Sequence, residues 1–277
     1  MEMAKPHVAE RNGYACEAFA AAGWRHDVYR GGEGPAVLLL HEMPSFSWRT
    51  VRLANRIRDR GYRMVMPILV GGVRDAPGRG LRGAIGFASD FGSSLWRICV
   101  SREFVALIGG RSSPVTDYLV ELARAEAAAS GRSKVGVIGM CLTGGFALAA
   151  AIDPAVGVAV VGQPALPFAI GPLKLIPGQA ADLGLSDADH RQLIDRKDDP
   201  DFCVRALRYE TDSIAPKARV ERIREELSPA ATLRWIPGRG HPVLSDATDG
   251  TPHAAVRKEL DEALSWVIAT LDERLKP

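Results

Sequence analysis

Apolar residues along this chain fall into two kinds of run. AVLLLH (36–41), VGVIGM (135–140) and AVGVAVVG (155–162) are apolar almost without interruption. A strand with one wet face alternates, so these runs predict strands covered on both sides. HDVYR (26–30), YRMVMP (62–67), CVRALRY (203–209) and TLRWIP (232–237) read as further short strands. Between them the apolar positions recur at helical spacing. One helix runs from about Ser47 to Arg60 and stops at Gly61, a second starts at Ser113-Pro114 and reaches about Ser130, and a short one is capped by Ser186. Another lies near 216–227, and Val256, Leu260, Leu264, Val267 and Leu271 form the stripe of a last helix. Two stretches fit neither pattern. Residues 70–90, rich in glycine and arginine, predict a long loop, and Gln163–Gly184, carrying Pro164, Pro167, Pro172 and Pro177, predicts an irregular connection. Strands alternating with helices pair in parallel through right-handed crossovers, with helices on both faces. The expected fold class is α/β, and function should collect at the carboxyl ends of the strands.

The 277 residues suit one large α/β domain over 1–277, and 47% hydrophobic residues suffice for its core. A net charge of +2 gives no field that points to nucleic acid or a membrane as partner. Arg49, Arg52, Arg56 and Arg60 form the solvated face of a helix whose other side carries Leu53, Ala54 and Ile57. Cys16, Cys99, Cys141 and Cys203 show no C-x-x-C spacing, which argues for free thiols and against a zinc site or a disulfide framework. No metal and no cofactor are expected. MEMAKPHVAERNGYACEAFA lacks a continuous apolar stretch and no run is long enough to span a bilayer, so a reducing cytoplasm is the expected compartment. Gly78-Arg79-Gly80-Leu81-Arg82-Gly83 spells G-x-G-x-x-G, yet it lies well past a strand in a polar loop, unlike a dinucleotide fingerprint.

VGVIGM runs directly into Cys141-Leu142-Thr143-Gly144-Gly145 and then an alanine-rich helical stretch. Gly139-x-Cys141-x-x-Gly144 has the form of a nucleophile elbow with cysteine in place of serine. Its glycines let strand and helix backbones approach, and the nucleophile is strained and points out of the sheet. The sulfur then lies near a helix N-terminus, which favours a thiolate. A core cysteine in an ordinary glycine-rich strand-to-helix turn is the plainer alternative, and glycines at several required places at once favour the elbow. Other strand ends carry matching chemistry: Glu42 and Met43 follow AVLLLH, Glu210 and Asp212 follow CVRALRY, and His241 follows TLRWIP. Nucleophile, acid and histidine in that chain order is the order of an α/β-hydrolase triad. His241 becomes general base or imidazolium partner, oriented by Asp212, with Glu210 as the alternative acid. The plainer roles are a loop histidine, a helix-capping aspartate before Pro216, and a strand-end surface acid at Glu42.

HEM (41–43), GMCLTGG (139–145), the D-x-x-x-P of Asp212 to Pro216 and GRGH (238–241) together resemble the dienelactone hydrolase family, cysteine-dependent enzymes of the α/β-hydrolase fold. The resemblance extends from about residue 24 to the last helix and implies a mostly parallel central sheet with helices on both faces. It implies a hydrolase that cleaves a small-molecule ester, lactone or thioester through a Cys141-His241-Asp212 triad and an acyl-enzyme intermediate. It also implies that Glu42 pairs with the resting thiol and helps to ionise it, and that the backbone N–H groups of Met43 and Leu142 form the oxyanion hole. The family binds a substrate carboxylate with arginines, and RDAPG (74–78) matches the loop that supplies one of them. Arg74 is the carboxylate candidate, with Arg79, Arg82 and Arg102 as rivals. Two departures stand out. PVLSD (242–246) offers no second arginine after His241, and the segment at about 163–196 is longer than the family's connection and can form a lid or cap. Leu166, Phe168, Ile170 and Leu173 within it can line an apolar pocket. Both departures favour a substrate other than a dienelactone. The alternative function is a non-catalytic binding or scaffold protein that retains the fold. A monomer or homodimer is expected.

Overall fold

The computed structural model describes residues 7–43, 45–69, 73–74, 114–165, 180–249 and 256–276. Its framework is a mixed sheet built from β1 (Ala15–Ala21), β2 (Trp24–Gly31), β3 (Ala36–Leu40), β5 (Arg63–Pro67), β7 (Val135–Met140), β8 (Val156–Gly162), β9 (Cys203–Thr211) and β10 (Ala231–Arg239). The order across it is β1-β2-β5-β3-β7-β8-β9-β10. From β5 to β10 every neighbouring pair is parallel, while β1, β2 and β5 pair antiparallel. Two short strands, β4 (Phe46–Ser47) and β6 (Val73–Arg74), pair separately. The helices are α1 (Val8–Arg11), α2 (Trp48–Arg58), α3 (Pro114–Ala129), α4 (Thr143–Ala150), α5 (Asp187–Asp195), α6 (Lys217–Glu226), α7 (Val243–Asp249) and α8 (Arg257–Leu275).

The continuous apolar runs are buried on both faces, as expected of central parallel strands. In β7, Val135 and Val137 pack toward α3 and α4, whereas Ile138 and Met140 pack toward α2 and α8. Its glycines set how closely the helices lie. A Cβ on Gly136 would press on the Leu271 side chain of α8, and one on Gly139 would collide with the Thr143 carbonyl of α4. The α2 face is also as read from sequence: Leu53, Ala54 and Ile57 are buried, and Arg52, Arg56 and Arg60 are exposed. Arg49 departs from that solvated face, lying half-buried with Nη1 3.6 Å from Asp246 Oδ1.

The strand boundaries differ in instructive ways. β1 was not legible, because ACEAFAA is an exposed edge strand of small residues with no alternation. It folds back on β2 through a two-residue turn in which Ala22 and Gly23 both have positive φ. β9 runs two residues past the predicted end, so Glu210 is an exposed residue within the strand and Asp212 is the first residue beyond it. α7 was also not foreseen; it begins directly after His241-Pro242. α5 has the expected cap, with Ser186 Oγ accepting from Asp189 N at 3.0 Å. The expected cap at Ser113, most of the 70–90 loop, and Leu166, Phe168, Ile170 and Leu173 lie outside the described residues. No helix among the described residues is long and apolar enough to cross a membrane.

One buried hydroxyl ties this framework to the corner after β7. Thr143 is fully buried; its Oγ1 accepts from Met140 N at 2.9 Å and lies 3.2 Å from Leu40 O and 2.9 Å from Met140 O as a donor. The isosteric Thr143→Val removes the hydroxyl and leaves a buried N–H without its partner. We expect a loss of about 1–3 kcal/mol in urea unfolding, with Thr143→Ser losing clearly less. Equal stability of Thr143→Val and wild type would show that this tie contributes nothing.

Candidate active site

The parallel strands end side by side, so the residues that follow them converge. Cys141 follows β7 and Gln163 follows the adjacent β8. Glu42 follows β3 on the other side of β7 with one residue between, Asp212 follows β9, and His241 follows β10 after Gly240. The structure brings Cys141, Asp212, His241, Glu42, Met43 and Leu142 to this one edge of the sheet.

Cys141 sits at φ +57, a left-handed conformation that costs a non-glycine residue about 1–3 kcal/mol. The surroundings enforce it. Cys141 N donates to Gly162 O at 3.0 Å, and its carbonyl accepts from Gly144 N at 3.1 Å and Ala165 N at 3.0 Å. A Cβ on Gly144 would lie 3.1 Å from Pro164, so the chain after β8 packs against the elbow. The thiol is free and partly exposed, at the start of α4. Cys16 and Cys203 are free as well, one exposed and the other buried, and Cys99 lies outside the described residues.

The Asp212 side chain is fully buried, and its Oδ2 lies 2.8 Å from His241 Nδ1. Oδ1 accepts from Ile214 N at 2.8 Å and Ala215 N at 3.0 Å. Burial alone would raise this carboxyl, but the hydrogen bond and charge of His241, with the two amides, outweigh it and hold it below the ordinary value. Glu210 makes no such approach, which settles the acid beside His241 as Asp212. Arg208 shapes the Asp212 loop from below. Its buried guanidinium donates to the carbonyls of Tyr209, Glu210, Asp212 and Ala215, folding the chain around itself.

His241 is positioned by its neighbours. Gly240 N donates to Thr211 O at 3.2 Å, and a Cβ on Gly240 would drive into the Tyr209 ring, so only glycine lets the turn lie this close to β9. Tyr209 in turn donates its hydroxyl to Asp246 Oδ2 at 3.1 Å. Burial alone would lower the His241 imidazole. The hydrogen bond to Asp212, the facing Cys141 sulfur and both of their charges instead raise it to about 10. Nε2 is buried and faces the Cys141 sulfur, which raises the ring.

Glu42 lies within the same cluster, but its oxygens are occupied. Oε1 accepts from Gln163 Nε2 at 2.6 Å and Oε2 from Ser245 Oγ at 2.8 Å. Burial pushes its carboxyl up, against the pull of Ser245 and the charges of His241 and Arg49. The preceding His41 is fully buried with Nδ1 3.0 Å from Glu42 O, and burial lowers it to about 4, which leaves it neutral at neutral pH. Leu142 stands at the N-terminal end of α4, where the first amides have no partner within the helix. The backbone of Arg74 pairs with Ser47 just ahead of α2. Its side chain, and all of Arg79, Arg82 and Arg102, lie outside the described residues. Among the described residues no group of histidine, cysteine and acidic side chains could hold a metal ion.

Sequence reasoning missed Gln163, Ser245, Asp246, Tyr209 and Arg208. A signal existed for Gln163, the polar residue directly ending the apolar run AVGVAVVG, at a strand end like the other candidates. Ser245 and Asp246 were hidden because α7 was not foreseen.

The fold is shared with esterases. A cold-adapted esterase from an Arctic intertidal metagenomic library superposes with a TM-score of 0.55 at 18% identity, covering 95% of this chain and 94% of that one. A Klebsiella pneumoniae subsp. pneumoniae protein that bears the name dienelactone hydrolase gives 0.58 at 17% identity, covering 92% and 98%. Est1E from Butyrivibrio proteoclasticus gives 0.52 at 11%, covering 92% and 98%. These likenesses establish the α/β-hydrolase fold. A search of curated proteins finds no match. The profile of the Dienelactone hydrolase family matches residues 26–271, from β2 almost to the end of α8, and the chain therefore belongs to the dienelactone hydrolase family, a family of hydrolases.

Proposed function

We propose that the protein hydrolyses a small carboxylic ester, lactone or thioester with Cys141 as nucleophile. The observation that carries this reading is a buried Asp212–His241 pair whose imidazole faces a cysteine held at positive φ on a strand-to-helix corner. In the reaction, His241 holds the proton lost by the thiol, and the thiolate attacks the substrate carbonyl carbon. Negative charge moves to the carbonyl oxygen, where the Met43 and Leu142 N–H groups receive it. As the tetrahedral centre collapses, the bond to the leaving oxygen or sulfur breaks, and that atom takes the proton from His241. Water then gives a proton to His241 and attacks the acyl thioester. Collapse breaks the carbon–sulfur bond, releases the acid and leaves the Cys141 thiolate beside the protonated His241. Asp212 keeps Nδ1 protonated throughout, so that Nε2 is the nitrogen that moves protons.

Carboxylate recognition is assigned to Arg74, since a guanidinium offers a paired N–H fork to both oxygens. This part of the reading comes from the RDAPG motif, and Arg102 is its alternative.

Two measurements test these assignments. Cys141→Ala should abolish p-nitrophenyl ester turnover while leaving the melting temperature near that of wild type, and Cys141→Ser should remain poor because an alkoxide is far harder to form than a thiolate. Wild-type turnover in Cys141→Ala would refute the nucleophile. Arg74→Lys should weaken kcat/KM for an acidic ester by roughly 1–3 kcal/mol and hardly change that for a neutral ester of similar size. Equal effects on both esters would remove Arg74 from substrate recognition and point to an apolar pocket.

A further inference from the structure

Gln163 ends β8 beside the point at which Cys141 ends β7; Met140 and Gly162, the residues before them, are register partners. It is fully buried, and with φ +32 it joins Ala22 and Cys141 as a non-glycine residue at positive φ. Such conformations persist only where the surroundings over-determine them. Its surroundings do. Gln163 N donates to Leu207 O of β9 at 2.7 Å, Nε2 donates to Glu42 Oε1 at 2.6 Å, and Oε1 accepts from Val243 N at 3.3 Å. One side-chain amide thus joins the acid after β3 to the first residue of α7, two positions beyond His241. Only an amide of this length does both, since a carboxylate has no donor for Glu42 and an aliphatic side chain has neither donor nor acceptor.

We propose that Gln163 is a positioning residue: its amide ties the Glu42 carboxylate to the His241–Val243 turn, holding the acid off the thiol and the imidazole on it. The inference rests on the proposed function, because the imidazole it holds is the base of that reaction. It also divides the work. Gln163 and Ser245 each engage one Glu42 oxygen, while the His241 imidazole faces the thiol.

The charged groups around Glu42 define what a change at Gln163 does. His241 faces it from the turn after β10, Arg49 from α2, and Asp246, with the hydroxyl of Ser245, from α7. Asp246 is itself engaged by Tyr209 and Arg49. Gln163→Glu places a second carboxyl against the first in a buried site. Such a pair holds one proton between its members until the pH exceeds a raised pKa. While the proton is shared, the tie to Glu42 and the acceptor for Val243 N both survive. When it leaves, two carboxylates repel and the tie opens, so loss must come as pH rises.

The test measures kcat and KM for a p-nitrophenyl ester, and the melting temperature, against pH. It compares wild type, Gln163→Leu, Gln163→Glu and the exchange Glu42→Gln/Gln163→Glu, with Cys141→Ala alongside. Gln163→Leu should lose roughly ten- to hundredfold in kcat with a much smaller change in KM. Gln163→Glu should exceed Gln163→Leu at low pH and lose both activity and melting temperature as pH rises. The exchange, which restores one amide against one carboxylate, should not show that loss. If Gln163→Leu does not fold, the other two variants carry the comparison. Profiles of Gln163→Glu parallel to wild type in both readouts would overturn the assignment. Wild-type turnover in Cys141→Ala would instead refute the nucleophile, while the melting-temperature profile of Gln163→Glu still reports whether the tie exists.

Discussion

The site depends on a 2.8 Å hydrogen bond between a fully buried carboxylate, Asp212, and His241 Nδ1. An ionised carboxylate buried alone is strongly unfavourable, and here two backbone amides and a facing imidazolium compensate for the lost water. The pair fixes the ring's orientation, and so decides which nitrogen meets the thiol. It also links stability to pH. Asp212, held below its ordinary value, contributes above the unfolded carboxyl pKa, and that contribution is lost as pH falls through the folded value. His241, raised to about 10, contributes fully below the unfolded imidazole pKa, and its share is lost as pH rises through about 10.

Much of the structure serves to place these two residues. Arg208 folds the Asp212 loop around its guanidinium, Gly240 lets the histidine turn lie on Tyr209, and Tyr209 reaches Asp246 at the start of α7. None of these groups touches a reacting atom. Their common effect is to hold the imidazole toward the cysteine, whose own strained backbone is fixed by Gly162, Gly144 and Ala165. Preorganisation of this kind lowers a barrier because the cost of orienting the groups is met on folding.

The central sheet was legible in sequence because its strands are buried on both faces and therefore continuously apolar. The elbow was legible because close strand–helix approach permits only glycine at Gly139. Cys141, Asp212 and His241 could be singled out because each lies at a strand end, and the end of β9 decided between Glu210 and Asp212. β1 was not legible, since an edge strand of small residues lacks a pattern. The network around Glu42 was not legible either. Gln163 and Ser245 carry no motif, and their role exists only once β3, β8 and α7 meet in space. That meeting also gives each Glu42 oxygen a side-chain partner, Gln163 and Ser245, which the HEM motif does not disclose.

Asp212 and Cys141 together raise the His241 imidazole far above its ordinary range. An NMR titration of the His241 ring in wild type and in Cys141→Ala tests it most directly. The imidazolium should persist to about pH 10 in wild type and lose its proton at a lower pH in Cys141→Ala, where the sulfur is gone. A ring that titrates as a free histidine in both proteins would contradict it.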